Sequence, residues 1–144
     1  MLGFTLQYEM SYTNILNMLD MSGITIRASE RGEDEPIIMA GGPCAYNPEP
    51  LYDIVDFFEI GEGEEMMDDV LEVYAKHKAN GKVNKKEFLR EISHIGGIYV
   101  PSLYDVSYNE DGTIREFTPK YEDVPAKVKK RIVNNFDKVS FPDE

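Results

Sequence analysis

Two apolar runs, each ending on glycines, constrain this chain more than anything else in it. Ile37-Ile38-Met39-Ala40 stops on Gly41-Gly42-Pro43, and Phe57-Phe58-Glu59-Ile60 stops on Gly61-Glu62-Gly63-Glu64. A short apolar run followed by a glycine turn and then a helical pattern reads as a buried strand feeding a helix. Strands that alternate with helices favour parallel pairing through right-handed crossovers. In an open α/β sheet the carboxyl ends of the strands form the edge at which ligands bind. The two turns are therefore expected side by side on one rim, with bare backbone facing a shared hollow. The expected fold class is α/β: a partial flavodoxin-like or Rossmann-like parallel sheet in the order β-α-β-α-β-α-α, then a β-hairpin and a linker tail.

The remaining elements follow from periodicity and caps. Leu2 to Tyr8 reads as a strand already in progress. Ser11, Thr13 or Asn14 can cap a helix whose apolar side is Tyr12, Ile15, Leu16 and Leu19, with Gly23 where a left-handed residue ends it. Arg27 to Glu35 reads as a solvated loop. Asn47-Pro48 predicts a helix start, an Asn cap with Pro at the first position, burying Leu51, Ile54 and Val55. Met67, Val70, Leu71 and Tyr74 predict a further helix running to Lys78. Asn84 with Glu87 forms a capping-box-like start, and Val83 can staple against Phe88 in a helix that ends at Gly96-Gly97. Ile98 to Pro101 is extended, and Val106 to Phe117 predicts a hairpin turning at Asn109-Glu110-Asp111-Gly112. Lys127 to Lys138 reads as a short helix or extended arm. These elements divide the chain into a sheet domain over 1–96, a strand and hairpin over 97–123, and a linker over 124–144.

At 144 residues the chain is one domain's worth of polypeptide, long enough to bury a core. Its net charge of −12 argues against a nucleic-acid backbone or an anionic membrane surface as partner. No apolar stretch approaches the roughly 20 residues that cross a bilayer, and Met1-Leu2-Gly3-Phe4 lacks a basic signal region, so a cytoplasmic location is expected. The lone Cys44 excludes a disulfide or a cysteine-rich metal site within the chain, and beside a glycine turn it reads as packing rather than as a nucleophile. His77 and His94 have no ligand at metal spacing and read as helix-surface residues. Glu64-Glu65 and Asp68-Asp69 read as a solvated face, and the methionines as core filling. Neither G-x-G-x-x-G after a strand nor a phosphate-binding G-x-x-x-x-G-K-[ST] occurs. Glu64 and Glu65 suit the positive end of the following helix but would repel a phosphate there. No catalytic residue is visible.

Longer blocks carry a resemblance. Leu2-Gly3-Phe4-Thr5-Leu6-Gln7-Tyr8-Glu9 and Tyr12 to Asp20, then Ala40 to Cys44, Asn47-Pro48-Glu49-Pro50, Ile60 to Glu65 and Gly97 to Pro101, resemble the amino-terminal region of cobalamin-binding-domain radical S-adenosylmethionine proteins, the Fe–S oxidoreductases. Val128 to Val133, with Phe136-Asp137 and Phe141-Pro142, is similar to the linker before the radical domain of that family. The resemblance implies a flavodoxin-like cobalamin domain. Gly41, Gly42 and Pro43, together with Gly61, Glu62, Gly63 and Glu64, would lie against the cofactor's nucleotide tail, with Thr5 on the third side. The D-x-H-x-x-G loop that supplies a lower cobalt ligand is absent, and so is the C-x-x-x-C-x-x-C motif that holds a [4Fe–4S] cluster. The resemblance thus implies an internal fragment, whose parent is a radical enzyme using [4Fe–4S] and S-adenosylmethionine. An upstream half-domain and a downstream radical domain would be its partners.

Three functions compete at this point. The first is a non-catalytic fragment contributing part of a cobalamin cleft, holding cofactor weakly if at all when alone. The second is a non-enzymatic α/β interaction module that docks a partner domain without cofactor. The third, a flavin- or nucleotide-binding protein, is the weakest. If an upstream strand is missing, Gly3 to Tyr8 is an unpaired apolar edge. Self-association as a homo-oligomer through that edge, or its coverage by the hairpin, is expected.

Overall fold

The computed structural model describes residues 1–79 and 81–139. Its sheet contains β1 (Leu2–Thr5), β2 (Ile38–Gly41), β3 (Phe57–Glu59) and β4 (Ile98–Tyr99) in that spatial order. The first three strands are parallel, in a register that pairs Thr5 with Gly41 and Met39 with Phe57. β4 returns antiparallel to β3, with Glu59 opposite Ile98. β2 and β3 are buried along almost their whole length, as expected of strands covered on both faces. The result is a mixed α/β fold, a partial flavodoxin-like sheet with a separate hairpin.

Helices α1 (Tyr12–Met21), α2 (Gly63–Ala79) and α3 (Lys85–Ile92) surround the sheet. α1 ends as its glycine demands: Gly23 sits at φ 66°, and the N–H of Ile24 reaches the carbonyl of Leu19 at 2.9 Å, closing a Schellman turn. Its start differs from expectation. No side chain caps it, because the Ser11 hydroxyl donates to Tyr8 O in a preceding 3₁₀ turn, Glu9–Ser11. Asn84 caps α3 as expected, accepting from the N–H groups of Lys86 and Glu87. α2 is rotated from the expected stripe. Met66 and Val70 are fully buried while Leu71 is 45% exposed, because two overlapping apolar stripes run along this helix and the sheet selects the one through Met66.

The helix expected after Asn47-Pro48 does not form. The crossover from β2 to β3 is built from two 3₁₀ turns, Pro43–Tyr46 and Glu49–Leu51. Pro50 disfavours helical φ/ψ at the residue before it, and the chain makes mostly short i→i+3 bonds there, with one i→i+4 bond from Val55 N to Leu51 O. Leu51 and Val55 are nevertheless buried, as their spacing required.

The loop over Arg27 to Glu35 is also not simply solvated. The Arg31 side chain is 1% exposed. Its guanidinium pairs with Asp56 at 2.6 Å and donates to the carbonyls of Thr25, Ile26 and Ile54. Asp56 in turn accepts from Ile38 N at 2.6 Å, so one ion pair clamps the amino ends of β2 and β3.

The hairpin is wider than expected, with β5 (Tyr104–Tyr108) and β6 (Ile114–Pro119) antiparallel around the Asn109–Thr113 turn. It is tied to the sheet by aromatic contacts: Phe58 stacks on Tyr99, Tyr99 tilts against Tyr104, and Tyr104 stacks on Phe117 at 4.8 Å. Tyr99 lies in β4, at the opposite side of the sheet from β1. The hairpin therefore does not cover the outer edge of β1, which has no strand partner among the described residues.

The tail is not a helix over Lys127 to Lys138. It runs extended, makes an isolated parallel bridge between Arg131 and Gly61, and turns only at a 3₁₀ turn, Phe136–Lys138. Phe141-Pro142 lies outside the described residues. Among the described residues no helix is long and apolar enough to cross a membrane.

Candidate functional site

The carboxyl edge of the sheet brings the two glycine turns together, through a residue that sequence reasoning passed over. Thr5, Gly41 and Glu59 stand at the ends of three neighbouring parallel strands. A Cβ placed on Gly41 would lie 3.5 Å from Glu59 Cβ and 3.7 Å from Glu59 Oε2. One placed on Gly63, the first residue of α2, would lie 3.6 Å from the same Oε2. The Glu59 side chain is thus wedged between the first turn and the second. Glu59 is 7% exposed, and its Oε1 is buried with no hydrogen-bond partner. Burial alone pushes its carboxyl up to about 7.

Around this carboxyl the other expected site residues divide. Thr5 and Pro43 are exposed on the rim. Gly42 adopts φ 102°, and its bare face turns onto the neighbouring strand: a Cβ there would meet Leu6 O at 3.1 Å and Thr5 Cγ2 at 3.3 Å. Cys44 N donates to Leu6 O at 2.9 Å, so this turn is stitched to the chain just beyond β1. Desolvation, with Glu9 nearby, raises the Cys44 thiol, which keeps it protonated and unreactive at neutral pH.

The second turn is covered by the chain's own tail. Arg131 N donates to Ile60 O at 2.9 Å, Glu62 N donates to Arg131 O at 3.1 Å, and Val133 N donates to the Glu62 carboxylate. Gly61 stands at φ 115°, and a Cβ on it would lie 2.6 Å from Arg131 N and closer still to the carbonyl oxygen. Gly97, at φ 98°, is crowded by Met66 Sδ and Arg131 Cβ in the same way. The guanidinium of Arg131 reaches Glu65 and Asp69, each at 3.2 Å, so part of the α2 acid is neutralised by the strap. Glu64 remains exposed.

Open hollows lie elsewhere. One sits between α2 and α3, lined by Lys76, His77, Lys82, Asn84, Glu87 and Glu91. Another sits at the amino ends of the strands, bounded by Met1, Pro36, Ile37 and Lys85. At the rim, Glu59 lies between Gly41 and Gly63, and the strap lies over Gly61. Among the described residues no group of three His, Cys, Asp or Glu side chains could hold a metal ion.

Residues 1–101 match the family model for radical SAM proteins, N-terminal. The chain belongs to this radical SAM N-terminal family. No curated protein and no solved structure matches it. Radical SAM chemistry requires S-adenosylmethionine and a cysteine-bound iron–sulfur cluster, and the single Cys44 cannot supply three thiolates. The radical SAM N-terminal chain therefore does not fit that cluster. At its rim the bare faces of Gly42 and Gly61 meet Leu6 and Arg131 of the chain itself.

Glu59, Arg31 and Arg131 were the residues that sequence reasoning missed. Glu59 had a signal: it is the one charged residue inside an apolar run, at the strand end where chemistry gathers. Arg131 had none, since its partner lies 70 positions earlier.

Proposed function

We propose that this chain is a non-catalytic α/β domain that positions an adjoining radical SAM catalytic domain, without a cofactor of its own. The observation that carries this reading is the strap. Residues 131–133 are hydrogen-bonded across the Ile60–Glu62 turn, so the polypeptide leaving the sheet is fixed to its carboxyl rim rather than hanging free. A tether held at that rim sets where a following domain starts and limits how it moves. The adjoining domain would hold the [4Fe–4S] cluster and S-adenosylmethionine. Hydrogen exchange tests the strap directly: the Glu62, Arg131 and Val133 amides should be protected in the isolated chain, and free exchange at all three would overturn the reading.

A second reading keeps a corrinoid at the rim, with Thr5, Gly41, Gly42, Pro43, Gly61, Glu62, Gly63 and Glu64 against it. The neighbourhood of Gly41 and Gly63, which share Glu59 between them, favours this reading. The two readings separate on titration with hydroxocobalamin. A docking domain leaves the cobalamin spectrum unchanged, whereas a saturable spectral change in the purified chain supports the corrinoid half-site.

A further inference from the structure

The two ends of the sheet are finished differently. At one end β4 is joined to the hairpin through the rings of Tyr99, Tyr104 and Phe117. At the other end β1 has no outer strand partner among the described residues. Leu2 N donates to Ile37 O at 2.9 Å and Leu6 N to Gly41 O at 2.6 Å, so the even-numbered residues of β1 bond inwards. Gly3 and Thr5, both exposed, turn their N–H and C=O groups outwards. Nothing blunts this edge. Leu2 to Tyr8 carries no charge and no proline, and the register of β1 with β2 is unbroken. β6 of the hairpin, in contrast, carries Arg115, Glu116 and Pro119 and a register shift opposite Ser107 and Tyr108. Exposed apolar side chains also gather on the β1–α1 unit: Leu2 on the strand, Met18 and Met21 on the helix, Tyr8 and Met10 between them.

We propose that the outer edge of β1 is an interface for a second copy of this chain, paired antiparallel about a two-fold axis at Phe4. In that register Gly3 lies opposite Thr5 of the second copy, and each such pair exchanges both of its N–H···O=C bonds. The outward groups of each copy are then satisfied by the same groups of the other, as an isologous contact requires. An axis normal to the sheet leaves both α1 helices on the same face of the joined sheet. A lone foreign strand would meet the backbone groups but bring no helix to Met18 and Met21, whereas a second copy brings its own α1. Each copy carries −12, yet the paired stretch is neutral, so repulsion acts between distant groups that salt screens. This interface does not depend on whether the strap positions a further domain.

Sedimentation equilibrium of the purified chain in ~0.15 M sodium chloride tests it. The mass should rise from one chain to two with concentration. Amide exchange at Gly3 and Thr5 should slow in step. Gly3→Pro removes an outward N–H and leaves the bonds to β2, a position at which an edge strand tolerates proline. It deletes half of the intermolecular hydrogen bonds and should weaken association at least about tenfold. A mass of one chain at every concentration, a mass beyond two chains, or an unchanged dissociation constant in Gly3→Pro would overturn the proposal. If Gly3→Pro fails to fold, exchange on the unmodified chain decides alone: Gly3 and Thr5 amides that exchange alike at low and high concentration overturn it.

Discussion

The two glycine turns share one sequence design and meet different fates. The turn at Gly41-Gly42 closes locally, pressing the bare side of Gly42 against Leu6 on the next strand. The turn at Gly61 receives a distant segment, the backbone of Arg131. Both glycines adopt positive φ, 102° and 115°, and both permit an approach that a side chain would block. A glycine therefore announces that something comes close. It does not say whether the visitor is a ligand, a neighbouring strand or the chain's own tail.

The comparison can first be erased. Arg31 and Asp56 clamp the amino ends of the two strands that carry these turns. Arg31→Met leaves Asp56 buried without its counter-ion, which should cost about 3–5 kcal/mol of unfolding free energy in urea and loosen both turns together. A loss below about 1 kcal/mol, the range of an exposed pair, would show that the clamp does not hold the strands.

A second test addresses the carboxyl between the turns. The folded-state value for Glu59, about 7, lies above the ordinary 4.5, so the native state holds its proton where the unfolded chain has lost it. The stability this gives is complete below pH 4.5 and is lost as pH rises through 7, a fall of about 3 kcal/mol. Urea melts at pH 4.5, 6 and 8 should show that decline, and Glu59→Gln should flatten it. A decline of equal size in Glu59→Gln would assign it to other groups.

The smallest effects separate the turns from each other. Gly61→Ala drives a methyl group into Arg131 and strains a positive φ, but the strap can leave. The steric part of the cost is therefore capped by its three hydrogen bonds, about 2–3 kcal/mol beyond the backbone strain it shares with Gly42→Ala, and the Arg131 and Val133 amides should lose exchange protection. Gly42→Ala meets gentler contacts of 3.1–3.3 Å and should cost about 1–2 kcal/mol, with the strap amides still protected. If both variants release the strap alike, the turns are one unit and the contrast between them fails.

Much of the fold was legible in local signals. Gly23 ended α1, Asn84 began α3, and two buried apolar runs became adjacent parallel strands. These features depend on residues a few positions apart, where cap chemistry and periodicity act directly. The errors have two causes. Pro48 and Pro50 overrode a cap-like pattern, which is a local effect of neighbours in the chain. Met66 displaced Leu71 on a helix with two apolar stripes, and Arg31 left an apparently solvated loop for a buried partner, both decided by what lay across the core.

The sequence by itself determined an acidic α/β chain with glycine turns at successive strand ends and too few cysteines for a cluster. Only the tertiary structure decided what fills the rim. Arg131 and Gly61, 70 positions apart, meet because the sheet closes the loop between them, and Glu59 is desolvated because two turns and a helix start converge on it. Local spacing carries no record of contacts whose stability comes from burial shared among distant segments.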